Sequence, residues 1–169
     1  IEKFAINRAK LTITVSDGLV HYLEKLSGKN VIKIMNGVSD EDYELAEKLK
    51  ENSTKTENDI MKFVFAGNFS EYSQEKVKTV INTNDKRYYS RRCEIEIIGA
   101  DEQANSWLKA YVPDVSNGLG KVCLTSRLSR IDLYKNIIQA DYALTLVRDP
   151  NFEYGTKIFD YILLGVPVV

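Results

Sequence analysis

Between residues 60 and 169 short apolar runs alternate with stretches in which apolar residues recur at helical spacing. The runs are Lys62–Ala66, Cys93–Ile98, Lys121–Thr125, Tyr142–Val147 and Val166–Val169. They are continuous rather than alternating, the pattern of strands buried on both faces. Helices are predicted between them over residues 73–82, with Val77, Val80 and Ile81 inward, and over 101–111, which carries Trp107. Ser129 and Asp132 have the spacing of a capping box for a helix reaching Ala140, and a last helix runs from Lys157 to Leu164. Strands that alternate with helices and are covered on both faces imply a parallel sheet. Right-handed crossovers then predict a doubly wound order of 3-2-1-4-5 for the five strands.

The first 50 residues continue the alternation less regularly. Leu11–Val15 and Val31–Met35 are β-rich runs, and Ser16 is a natural N-cap for a helix over 17–27 that Gly28 would end. Ser39 precedes the acidic turn Asp40-Glu41-Asp42 of a helix reaching about Lys50, whose apolar stripe of Tyr43, Ala46 and Leu49 is thin. Residues 51–59 are wholly polar and read as a linker. The organisation expected is therefore a segment 1–50, a linker 51–59, and an α/β, Rossmann-like domain over 60–169. The chain starts at Ile1 within a predicted helix and stops at Val169 within a strand, so a fragment of a longer protein is expected.

The 169 residues are 44% hydrophobic and 28% charged, with 23 basic against 24 acidic side chains. A net charge of −1 supplies no global field toward nucleic acid or a membrane surface, so partners must be recognised locally. Cys93 and Cys123 lack metal-ligand or redox spacing and read as buried thiols of a reducing compartment. His21 lies opposite the apolar side of its helix, a solvated position. The basic run of residues 83–92, with Lys86, Arg87, Arg91 and Arg92, reads as a solvated loop. No export signal or spanning segment is visible, and a cytoplasmic location is expected.

In an open sheet of this order ligands bind at the carboxyl ends of the strands where the winding reverses. The loops concerned are 67–73, offering Gly67, Asn68 and Ser70, and 148–157, offering Arg148, Glu153, Gly155, Thr156 and Lys157. Lys157 falls in a first helical turn, where backbone amides disfavour a cation unless an anion binds there. Asp160, one turn on, is a hydroxyl acceptor on nearly the same face; the pair could equally be a simple i,i+3 ion pair. Arg127 adds a basic residue after the third strand. The Gly67-Asn68 turn is neither a dinucleotide fingerprint nor a Walker loop.

The segment Gly155-Thr156-Lys157-Ile158-Phe159-Asp160-Tyr161, continuing to Gly165-Val166-Pro167-Val168-Val169, resembles the signature of family 4 and related retaining glycosyltransferases of the GT-B fold. Thr14-Val15-Ser16, Ile34–Val38, Phe63–Gly67, Leu133-Tyr134 and Ala140-Asp141 are similar to that family's other landmarks, in order. The resemblance implies that 60–169 is the donor-binding half and 1–50 the tail of an acceptor domain with its connection. It implies ribose binding by Asp160, diphosphate or sugar contacts from Gly155, Thr156, Lys157, Gly67 and Asn68, and a base lined by Arg127 and Leu128. The family's usual glutamate is Asp160 here, its arginine after the first glycine is Asn68, and its catalytic-loop glutamate aligns with Phe152. Glu153, one residue on, is the carboxylate expected to take the catalytic role.

The resemblance further implies a parent hexosyltransferase of polysaccharide biosynthesis, acting with retention from a nucleoside-diphosphate-sugar onto a glycan or lipid-linked acceptor. The acceptor would be held by the missing domain. No cofactor or obligatory metal is implied, peripheral membrane association of the parent is compatible with it, and the fragment alone is expected to be inactive. Two alternatives stay open: a GT-B sugar-nucleotide epimerase, and a non-catalytic flavodoxin-like or receiver-like module. The module would need an acidic pocket at the strand ends.

Overall fold

The computed structural model describes residues 1–55, 60–68, 72–82, 92–99, 106–110 and 120–169. Ser70, most of the basic 83–92 run and residues 101–105 and 111 of a predicted helix lie outside them. Contacts divide the chain into two compact units, Ile1–Gly37 with Val147–Thr156, and Val38–Leu146 with Lys157–Val169.

In the smaller unit, α1 (Glu2–Arg8) precedes β1 (Ile13–Thr14), α2 (Asp17–Ser27) and β2 (Ile32–Lys33). The two strands pair in parallel, Ile13 with Ile32 and Thr14 with Lys33. Ile6, Leu23 and Val31 form its core, with Val20 and Leu26 against them. Ser16 caps α2 as its sequence suggests: the hydroxyl accepts from the Leu19 amide at 3.2 Å. The same hydroxyl donates to the Phe152 carbonyl at 2.8 Å. Gly18, in the first turn of α2, lies so close to the Asn151 carbonyl that a Cβ would overlap it, which makes glycine the residue that permits this packing. The Lys29 ammonium donates to the Asn7 carbonyl at 2.6 Å, a cation at the carboxyl end of α1.

The larger unit opens with α3 (Asp40–Glu51), capped by Ser39. It continues with β3 (Ile60–Ala66), α4 (Gln74–Asn82), β4 (Arg92–Ile98), a 3-10 turn over Ser106–Ala110, β5 (Gly120–Thr125), α5 (Arg130–Gln139), β6 (Tyr142–Ala143) and α6 (Lys157–Leu163). The sheet order is β5-β4-β3-β6, all parallel, with Phe63 opposite Ile95 and Tyr142. Residues 167–169 extend it: the Ala143 amide donates to the Pro167 carbonyl and the Val169 amide to the Ala143 carbonyl, beside an Ala143–Val168 bridge. The predicted 3-2-1-4-5 order is therefore the order found.

Alternate residues of β3 feed two cores. Val64 and Ala66 join Ala46, Tyr134, Ile137, Tyr161 and Leu164 on the face covered by α3, α5 and α6. Phe65 joins Val77, Ile95, Ile97, Leu108 and Val122 on the other. Both faces are covered, which is why the strand sequences are continuous apolar runs.

Three expectations change in detail. The strand predicted over 142–147 is assigned only at Tyr142–Ala143, although the Leu144 and Thr145 amides still pair in the parallel pattern. The described part of the 101–111 helix is a 3-10 turn, with Trp107 partly buried against the second core. Helix α3, expected with residues 1–50, counts with the larger unit, because Ala46 is wholly buried in the first core. Of the two thiols Cys93 is buried, its pKa pushed up by that burial, while Cys123 is only half-buried. His21 is exposed, with Nδ1 2.7 Å from the Asp17 carbonyl oxygen.

The short β6 leaves two β3 amides to be satisfied by side chains. At one end the Lys62 amide donates to Asp141 Oδ2 at 2.8 Å; at the other the Ala66 amide donates to the Tyr161 hydroxyl at 2.8 Å. Buried amides without a partner are costly, so Asp141 and Tyr161 complete the ladder that the strand itself does not.

Candidate functional site

A cleft of about 630 Å³ opens at the carboxyl ends of β3, β4 and β5 in the larger unit. Gly67 and Gly99 line it, each immediately after the end of a strand. The Gly67 amide donates to the Ile98 carbonyl at 2.9 Å. Gly67 has φ +150°, a conformation open to glycine, and a Cβ there would meet the Phe65 ring at 3.2 Å. Backbone is thus presented bare to the cleft, as a closely approaching ligand requires.

Ser126, Arg127 and Leu128 after β5, Arg130, Leu133 and Tyr134 of α5, and Lys157 of α6 also line the cleft. The ionisable groups of the lining, apart from the Tyr134 phenol, are Arg127, Arg130 and Lys157, all cations. The acidic pocket that a receiver-like module needs is not what these residues build.

Next to Lys157 stands Asp160, 8% exposed. Its Oδ2 accepts from the Lys157 ammonium at 2.8 Å and its Oδ1 from the Tyr134 hydroxyl at 3.0 Å. The i,i+3 ion pair left open by the sequence is therefore formed, while Lys157 also faces the cleft. A buried carboxylate needs such partners, because an uncompensated charge there costs several kcal/mol, on the order of 3–5. Tyr134 is wholly buried, and burial, then the Asp160 charge, push its pKa up to about 12. Tyr161 is pushed to about 12 chiefly by burial. Both phenols stay neutral and act as donors or acceptors, not as bases, at physiological pH.

The sequence candidates separate into two sets. Gly67, Asn68, Arg127, Leu128 and Lys157 line the cleft, and Asp160 lies directly behind it. Gly155, Thr156 and Glu153 belong to the segment Val147–Thr156 of the smaller unit. Glu153 is engaged there: Oε1 lies 2.9 Å from Arg148 Nε, and Oε2 accepts from the Arg148 amide at 3.3 Å. Arg130 and Tyr134 are cleft residues that the sequence alone does not point to. Leu133-Tyr134 is a landmark of the resemblance, but nothing in the spacing shows that the Tyr134 hydroxyl reaches Asp160. Among the described residues no group of three or more His, Cys, Asp or Glu side chains is placed to hold a metal ion, and no helix is long and apolar enough to cross a membrane.

This architecture, a doubly wound parallel sheet, matches the fold of the Rossmann-like half of GT-B glycosyltransferases. Among solved structures the chain is similar to Anabaena Alr3699/HepE in complex with UDP-glucose, with a TM-score of 0.67 and 15% identity over 99% of this chain and 47% of that one. It is similar to sucrose-phosphate synthase from Thermosynechococcus elongatus, with a TM-score of 0.71 and 16% identity over 99% of this chain and 42% of that one. WaaG, a glycosyltransferase involved in lipopolysaccharide biosynthesis, aligns with a TM-score of 0.61 and 13% identity over 92% of this chain and 42% of that one. The chain thus spans less than half the length of each. No protein-family model matches it, and no curated protein matches it.

Proposed function

We propose that the cleft binds a nucleoside-diphosphate-sugar, and that the chain is the donor-binding part of a glycosyltransferase. The observation that carries this reading is the convergence of Arg127, Arg130 and Lys157 on a cleft lined by Gly67 and Gly99 at the carboxyl ends of parallel strands, with the hydroxyl acceptor Asp160 bonded to Lys157. Cations suit a diphosphate, and a carboxylate suits ribose hydroxyls. Lys157 and Asp160 pair with one another; a ligand carrying both functions would engage them together.

The chemistry in this reading is sugar transfer with retention, in the manner of family 4 enzymes, onto a glycan or lipid-linked acceptor held by another part of the parent protein. The protein's contribution is to position the donor and to stabilise the leaving diphosphate with basic side chains, without a metal. Glu153 is the catalytic carboxylate of the reading. Its pairing with Arg148 means that it would have to exchange partners to act. The 169-residue chain alone is expected to bind donor and to transfer nothing. A cytoplasmic parent, with peripheral membrane attachment for a lipid-linked acceptor, fits the same proposal.

Isothermal titration of the chain with UDP, ADP and GDP tests it. Binding of one of the three, weakened roughly tenfold or more in Lys157→Ala through loss of a charge-assisted contact, is the expected result. Absence of binding by all three would remove the reading.

A further inference from the structure

We infer that Arg130 is a ligand-contacting residue of the cleft and that Asp42, on α3, positions it. The inference rests on the cleft being a nucleotide site but assigns a contact outside the segment that carries the family resemblance. Arg130 is the first residue of α5 and lines the cleft, and its side chain is 53% exposed. Its Nη1 lies 2.5 Å from Asp42 Oδ2 and donates to the Tyr134 hydroxyl oxygen at 3.2 Å. A guanidinium has five N–H donors in a fixed plane. Its contacts with Asp42 and the Tyr134 hydroxyl both run through Nη1, and the edge formed by Nε and Nη2 is the one a ligand would engage.

Asp42 is only 17% exposed and sits in the first turn of α3, where a carboxylate is favoured. It is therefore a fixed anchor rather than a mobile surface acid. Anchoring one nitrogen fixes the plane of the whole group, and a side chain ordered before binding costs the ligand less entropy. Such planar forks suit the oxygens of a phosphoryl group, the kind of anionic group a nucleoside diphosphate carries. A purely structural account is weaker, because an ion pair whose arginine is half-exposed contributes little to stability.

UDP, ADP and GDP are titrated against the 169-residue chain and against Arg130→Gln, Asp42→Asn and Asp42→Glu, with the melting temperature of each recorded. For whichever nucleotide binds, Arg130→Gln is expected to weaken affinity roughly ten- to a hundredfold. Asp42→Asn should weaken it by a smaller factor, and Asp42→Glu, which keeps the anchoring charge, should recover most of that loss. Affinity within twofold of wild type in Arg130→Gln overturns the contact. Loss of melting temperature in Asp42→Asn with unchanged affinity overturns the positioning role. Failure of the unaltered chain to bind any of the three would strike at the nucleotide reading itself, a result distinct from either.

Discussion

Tyr134 donates its hydroxyl to Asp160 Oδ1 at 3.0 Å, joining α5 to α6 behind the cleft. Both residues are buried, and the same hydroxyl oxygen accepts from Arg130. The phenol thus connects one cleft cation, Arg130, to the carboxylate that holds another, Lys157. Removing it alone leaves the shape of the core intact and takes away one donor and one acceptor.

Tyr134→Phe is accordingly expected to fold and to lose about 1–3 kcal/mol, the cost of leaving a buried carboxylate one hydrogen bond short. Urea denaturation at neutral pH measures it. A variant as stable as wild type would mean that water or Lys157 replaces the hydroxyl, and that the link between the helices is not structural.

Asp160→Asn tests the ribose role apart from stability. Under the proposed function the carboxylate accepts hydroxyls of the ribose, so the unaltered chain should bind UDP more tightly than 2′-deoxy-UDP. The asparagine variant should narrow that difference by several-fold, roughly the worth of one hydrogen bond to a charged group. An unchanged ratio of the two affinities would assign Asp160 solely to holding Lys157 and Tyr134.

The sheet was legible because its physics is local: each strand is a continuous apolar run, and right-handed crossovers leave few orders for five such runs. Ser16, Ser39 and Ser129 were legible as caps for the same reason, since capping needs only a hydroxyl and an amide three residues on. The cleft was legible in part. Gly67, Arg127 and Lys157 follow from strand ends and helix starts, which the order of elements places. Arg130 was not, because its role comes from Asp42, 88 positions earlier, and no periodicity announces that pairing. Glu153 enters through the family resemblance and not through periodicity, and in the structure it pairs with Arg148 within its own loop.

Tyr134 and Tyr161 both have pKa values raised to about 12 from an ordinary 10.0. A raised folded value favours the neutral phenol, so the stabilisation is complete below pH 10, where the unfolded phenols are also neutral. It declines as pH rises from about 10 to 12, by up to about 1.4 kcal/mol per pH unit for each tyrosine. Phenolate absorbance followed against pH should show these two titrating late, together with loss of the far-ultraviolet dichroism. Early titration of all ten tyrosines in a folded chain would contradict their burial.

Asp141 supplies the acid limb. Burial acts to raise its pKa, but the Lys62 amide and the Lys55 ammonium, the latter 2.9 Å away, outweigh it and hold the carboxyl below its ordinary 3.8. A lowered folded value stabilises the chain above the ordinary pKa, and the contribution is lost as pH falls through the folded one. Asp141→Asn keeps an oxygen for the Lys62 amide and removes the charge. It should therefore cost little of the ladder yet flatten the fall of stability below pH 4. Asp141→Ala removes both and leaves the amide at the start of β3 unpaired, at a cost of about 1–3 kcal/mol at neutral pH. Denaturation midpoints of the two variants at neutral and acid pH separate the hydrogen bond from the charge, and equal losses at neutral pH would mean that Lys55, not the Lys62 amide, is the partner that matters.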